Sequence, residues 1–312
     1  MGATKNGFRY VSIVPGFTGL LWMTAASQGG QLYFNGFEPG QPGTADFYDS
    51  TSNLPAVPPE ITVLPTGTNG IPAASPGSNF YGQIKNVDDS YSIAFGYPLG
   101  YGESVLTDYG ATRNGNPTGP GVATSGAFYE STAYYISTAW STSVAPNPNE
   151  GFWIDTTPYN DPNFGDETNF RVSDGGSGSI NVQLVGYGTA AAGGSFPSLN
   201  ITKSGWYTFK TTFEDAGGYV GNTLSVLDAN GNVIGSAFND PANYGATPPA
   251  PPLQFSDLQG TNYGDWTTVW SNGFANDTLA IDDVTVGTVP EPGTLSLIGI
   301  GCAAFLRRRR KA

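Results

Sequence analysis

The stretch that most restricts the fold is Gly205–Phe238. Within it Gly-Trp-Tyr-Thr-Phe-Lys-Thr-Thr-Phe-Glu places Tyr207, Phe209, Thr211 and Phe213 on one face. Trp206, Thr208, Lys210 and Thr212 fall on the other. A period of two is the signature of a half-buried strand. Two further runs, Thr223–Leu227 and Asn232–Phe238, flank Asp228-Ala229-Asn230-Gly231. An Asn-Gly pair between apolar runs is a strong hairpin signal.

Similar segments recur along the chain. Gln31–Glu38, Ile61–Leu64, Tyr91–Tyr97, Tyr134–Trp140, Gly151–Asp155, Asn169–Val172 and Ile180–Gly186 all read as strands. So do Asp265–Trp270 and Thr278–Val286. Between them lie Gly-, Pro-, Ser- and Asn-rich stretches, including Pro39–Pro65, Gly67–Gly82, Gly110–Gly126 and Asp240–Pro252, which read as loops. Asp174–Ser179 has the composition of a hairpin loop. No internal repeat and no amphipathic helix is visible. Ten to twelve short strands predict an all-β, two-sheet antiparallel β-sandwich of the jelly-roll kind.

Composition agrees and closes off several functions. The chain has 312 residues, 44 of them Gly and 24 Pro, with 13% aromatics. Aromatics supply a core and argue against disorder. Charged residues make up only 12%, about half the usual share. The net charge is -13, so the surface will not hold a phosphate backbone and nucleic acid is disfavoured. Histidine is absent, which removes Ser-His-Asp and Cys-His catalysis and His-ligated zinc. The one cysteine, Cys302, leaves no intrachain disulfide.

Both ends carry targeting character. Residues 1–27 hold Lys5 and Arg9, then the apolar stretch Val11–Ala25, then Ala25-Ala26-Ser27, the layout of a signal peptide. Residues 28–288 are the expected sandwich domain. Residues 289–312 bring Pro290, Glu291 and Pro292, then the apolar run Leu295–Leu306, then Arg307, Arg308, Arg309, Arg310 and Lys311. As a short hydrophobic helix the run reaches about 18 Å. A full bilayer span needs roughly 20 residues, so it is a marginal anchor. The basic cluster opposes its translocation.

This C-terminal order closely resembles the PEP-CTERM sorting signal of Gram-negative and related bacteria. The resemblance implies export, transient anchoring in the inner membrane and processing by exosortase. It also implies association with the cell surface or an extracellular exopolysaccharide matrix. The central pattern looks like concanavalin-like or carbohydrate-binding jelly rolls. It rests on Asn35-Gly36-Phe37-Glu38, the block Ile201–Gly235 and the closing Leu279-Ala280-Ile281-Asp282-Asp283-Val284. Those modules bind a structural calcium, and the matching positions here are Glu38 with Asp282 or Asp283.

Two more kinds of site are weighed. Trp266 and Trp270, four apart in one strand, share a face and could stack on sugar rings. Tyr134 and Trp140 form another aromatic strip, and the Tyr-rich loop Tyr97–Tyr109 a third; core packing is the alternative use of such rings. Glycosidases of this fold place acids alternately on one strand so that they share a cleft. Glu150 and Asp155 are five apart, while Asp166-Glu167 and Asp282-Asp283 are adjacent, so each pair divides between opposite faces. The sequence is thus expected to encode a non-catalytic surface protein, possible ligand polysaccharide, with no catalytic residues. A secreted glycan hydrolase or lyase on the same fold is the alternative.

Overall fold

The computed structural model describes residues 30–44, 47–49, 54–55, 61–85, 93–95, 112–113, 116–117, 126–159, 168–186, 196–243, 254–258, 264–272 and 278–289. All belong to one compact unit, Gly30–Glu291. The expected signal peptide, the hydrophobic helix of the tail and the Tyr97–Tyr109 loop lie outside the described residues. Among those described, no helix is long and apolar enough to cross a membrane.

In chain order the strands begin with β1 (Gln31–Asn35), β2 (Phe47–Asp49), β3 (Leu54–Pro55), β4 (Ile61–Pro65), β5 (Phe80–Lys85) and β6 (Ile93–Phe95). Then come β7 (Thr112–Arg113), β8 (Asn116–Pro117), β9 (Phe128–Ile136), β10 (Asn147–Tyr159), β11 (Thr168–Gly176) and β12 (Ser179–Gly186). The last six are β13 (Ser198–Ile201), β14 (Gly205–Ala216), β15 (Tyr219–Leu227), β16 (Val233–Asn239), β17 (Gly264–Asn272) and β18 (Thr278–Thr288).

These strands make an antiparallel two-sheet sandwich. One sheet runs β16-β15-β14-β9-β18-β5-β4, with β1 also paired to β18; the other runs β13-β12-β11-β10-β17. Small sheets β3-β2-β6 and β7-β8 are not hydrogen-bonded to either of these.

The expected hairpins form for identifiable reasons. Between β15 and β16 the Asp228 carboxylate accepts from the N–H groups of Asn230 and Asn232, both at 2.9 Å. Gly231 takes a positive φ of 78°, which only glycine adopts at little cost. Between β11 and β12 the turn is Ser177-Gly178.

The inward residues of both sheets meet in one core. Phe152, Ile154, Phe170, Val172, Val182 and Leu184 face Phe128, Tyr134, Phe209, Phe213, Leu224 and Val226. Phe170 meets Phe209 edge-on with centroids 5.2 Å apart, and Phe128 stacks on Phe213 at 4.8 Å. Such ring pairs add about 0.5–1.5 kcal/mol each beyond area burial. The predicted alternation of β14 holds. Trp206, on its other face, is nevertheless buried with Tyr81, Ala133 and Ala280. Its Nε1–H donates to Pro72 O at 2.7 Å, so the segment after β4 roofs that face.

Several expectations about strands change: the expected loop Pro39–Pro65 also holds β2 and β3, and Gly110–Gly126 holds β7 and β8. The aromatic strip Tyr134–Trp140 is not one strand, because β9 ends at Ile136 and Thr138–Trp140 is a single 3-10 turn. The Ser137 hydroxyl accepts from Ala139 N–H and starts that turn. Gly67–Gly82 is not all loop, since β5 begins at Phe80. Tyr81, Gly82, Gln83 and Ile84 are all buried, so β5 shows no alternation to betray it.

Candidate functional site

Two places bring polar groups together. The first lies in β18, which changes neighbour along its length. Residues 278–281 pair with β5; residues 284–287 pair with β1. Asp282 and Asp283 sit between, where the register against β9 slips. Asp283 has φ 49°, so this is a bulge with a strained non-glycine residue.

Three acids gather at this seam. Asp282 is fully buried. Its Oδ2 accepts from Ser78 Oγ at 2.7 Å and its Oδ1 from Asp283 N–H at 2.8 Å. Asp283 Oδ1 lies 3.5 Å from Ser75 Oγ. Glu38 Oε1 accepts from the N–H groups of Asn79 and of Phe80, the latter at 3.2 Å. Burial pushes the Asp282 carboxyl up to about 7, and the charges of Asp283 and Glu38 push the same way against the Ser78 bond. The hydrogen bonds of Asn79 and Phe80 hold Glu38 below the usual carboxylate range.

Every donor here is oxygen, which suits a hard cation such as calcium. The donor chemistry suits that ion, although the buried Asp282 carboxyl, pushed up to about 7, would have to lose its proton to bind it. Among the described residues, however, no group of three or more His, Cys, Asp or Glu is placed so as to hold a metal ion, so the three acids do not form a site by themselves. Further ligands would have to come from the oxygens of the Ser75–Asn79 segment.

The second place is the outward face of the five-stranded sheet. Phe152 and Ile154 of β10 point into the core, so Trp153 points out, 37% exposed. The register continues this position across all five strands. Trp153 pairs with Trp270 of β17 on one side and Arg171 of β11 on the other. Arg171 pairs with Gln183 and Gln183 with Ser198. One row therefore reads 270, Trp153, Arg171, Gln183, Ser198. The Arg171 guanidinium lies 5.2 Å from the Trp153 ring centroid, a cation–π contact worth about 0.5–2 kcal/mol. A parallel row carries Asn181 and Asn200, whose amides bond at 3.1 Å.

The sequence candidates distribute as follows. Glu38, Asp282 and Asp283 converge on the seam. Trp266 and Trp270 occupy register positions opposite Thr157 and Trp153; the β17 side chains lie outside the described residues. Tyr134 is buried core, and Trp140 packs edge-on against Phe152 at 6.1 Å. That strip is therefore structural. Glu150 is exposed, whereas the Asp155 side chain, Asp166 and Glu167 lie outside the described residues.

Sequence reasoning missed Trp153, Arg171 and Asp174. The first two were signalled by alternation within β10 and β11. Asp174 gave no such signal. It is buried, and its carboxylate accepts from Ser141 Oγ at 2.5 Å, Ser143 Oγ at 2.6 Å and Gly176 N–H at 2.7 Å. Burial alone would raise its pKa, but these bonds outweigh burial and hold it at about 2. It ties the segment after β9 to the β11–β12 hairpin.

At the far end β18 runs without interruption into the tail. Val289 N–H bonds Ala127 O at 2.8 Å, directly before Pro290. Residues 288–311 match the model of the PEP-CTERM protein-sorting motif. The chain carries a PEP-CTERM tail. That motif implies processing by exosortase and an exported protein sorted to the cell surface.

No curated protein matches the chain. Among solved structures, it is similar to the CBM2 module of the evolved Dit of Lactobacillus casei BL23 phage J-1. The TM-score is 0.37 and the identity 9%, over 85% of this chain and 98% of that one. It is also similar to a GH131 β-glucanase catalytic domain from Podospora anserina, at TM-score 0.41 and 12% identity over 83% and 96%. The T. cruzi calreticulin globular domain gives 0.42 and 9% over 86% and 92%. This likeness is one of β-sandwich architecture, and no functional argument for the PEP-CTERM chain rests on it.

Proposed function

We propose that this is a cell-surface or exopolysaccharide-matrix protein whose sandwich binds polysaccharide without cleaving it. The observation that supports the reading is the outward row through Trp153, Arg171 and Gln183. A sheet face facing water on an ordinary sandwich carries small polar residues. This one offers an indole plane flanked by a guanidinium and amides, which suits a pyranose ring and its hydroxyls. Trp266 and Trp270 would extend the same platform. The PEP-CTERM tail supports delivery to a place where such ligands are abundant.

Calcium belongs to the same proposal. Asp282 and Asp283 would hold it with oxygens of the Ser75–Asn79 segment and Glu38, and it would offset the repulsion at the β18 seam. Its role is structural, away from the sugar face.

The test is a glycan-array screen of the full-length protein with and without calcium. Retention of defined glycans, unchanged in length afterwards, is the expected result. Failure to retain any glycan, or shortening of those retained, would overturn the reading.

A further inference from the structure

The unusual member of the sheet face is Arg171. Its guanidinium contacts the Trp153 ring; its Nε is buried with no hydrogen-bond partner, so a ligand would meet the terminal Nη groups of this half-buried side chain. Only Lys85, Arg113, Arg171, Lys203 and Lys210 are basic between residues 28 and 288, in a chain of net charge -13. In such an acidic molecule a guanidinium would ordinarily find a carboxylate. Among the described side chains its register neighbours are Trp153 and Gln183; Asp155, opposite Asn169, lies one diagonal step away on the same face, with its side chain outside the described residues. A guanidinium presents a rigid fork of donors that matches a carboxylate in a bidentate fashion.

We infer that Arg171 is the docking point for a carboxylate on the ligand, and that the ligand is a largely neutral polysaccharide bearing isolated uronic acid residues. The inference rests on the carbohydrate-binding reading above. The indole of Trp153 takes the sugar plane, and Arg171 beside it takes the acid group of the same or the adjoining residue. Gln183 and the Asn181–Asn200 pair continue the row with groups suited to hydroxyls. A polyanion is disfavoured, because one cation within an acidic protein cannot offset repeated charge.

The experiment is titration calorimetry of the full-length protein with four probes. These are a neutral xylo-oligosaccharide, the same oligosaccharide carrying one glucuronic acid branch, an oligogalacturonate and a glutamate-rich peptide. The branched acidic sugar should bind best, by roughly tenfold or more over its neutral partner, as a charged hydrogen-bond pair provides. R171Q should erase that preference, so that acidic and neutral sugars bind the variant equally whatever its neutral affinity, and R171K should keep part of it. W153A should weaken both sugars together.

Equal binding of neutral and branched sugars, or a preference that survives R171Q, overturns the inference while the carbohydrate reading stands. Best binding by the oligogalacturonate overturns the isolated-charge form. Binding of the peptide alone, or of no probe, removes the carbohydrate reading itself.

Discussion

The hydroxyl of Ser78 donates to Asp282 Oδ2 at 2.7 Å, joining residues 204 apart in sequence. This contact draws the segment before β5 against the bulge of β18, where a carboxylate is buried beside two others. The unfolded chain ionises Asp282 near pH 4; the fold delays this to about 7. Below pH 4 the group is protonated in both states and has no effect. Between about 4 and 7 the folded state holds the extra proton, so stability should fall as pH rises and level off above 7. In chelator, Asp282→Asn should flatten that slope and melt higher than wild type at pH 8. Thermal melts from pH 4 to 8 decide it; an unchanged slope would show that Asp282 is not the group responsible.

Calcium should reverse the same deficit. Added at pH 8, it should raise the melting temperature of the wild-type protein and do little at pH 4, where Asp282 is protonated. Chelation should lower the melt, and Asp282→Asn should blunt both responses. A melt indifferent to chelator would remove calcium from the account.

Asp174 behaves in the opposite sense. Its folded pKa lies below its unfolded value, so its contribution is complete above about pH 4 and is lost as pH falls toward 2. Asp174→Ala also strands the Ser141 hydroxyl and the Gly176 N–H, while Ser143 Oγ keeps Ala145 O as an acceptor. A loss of roughly 1–3 kcal/mol at pH 7, shrinking at pH 2, should appear in urea unfolding. Equal losses at both pH values would contradict the assigned cause.

Gly151 sits at the irregular start of β10, two residues before Trp153. A Cβ there would lie 2.0 Å from Val172 O, a backbone atom that cannot step aside. Gly151→Ala should cost roughly 3 kcal/mol or more and disturb glycan binding through the shifted Trp153. Wild-type stability and affinity in this variant would show that the strand can slide.

For the tail, replacing Pro290, Glu291 and Pro292 together with Ala should leave unprocessed protein in the membrane fraction. Normal processing on immunoblots would sink the sorting assignment.

Much of this was legible before any coordinates. Strict alternation in β14 and the Asp228–Gly231 turn each state their structure locally, and the tail states its sorting motif. Glu38 and Asp282 could be paired only through resemblance, because their meeting depends on where β1 and β5 abut β18. β5 itself was hidden by burial on both faces. Trp153 and Arg171 were each visible as outward residues, but their alignment with Gln183 is a matter of register across strands, which no single segment encodes.

The position of β18 has a further consequence. It is the last strand among the described residues, yet it lies inside the larger sheet, bonded to β9 on one side and to β5 and β1 on the other. A chain that emerges N-terminus first from the ribosome therefore presents three unsatisfied strand edges until β18 arrives. That segment is continuous with the PEP-CTERM tail. Assembly of the sandwich and arrival of the sorting signal are thus coincident in time, so a chain that stops short of Thr278 lacks both its address and the strand that joins its edges.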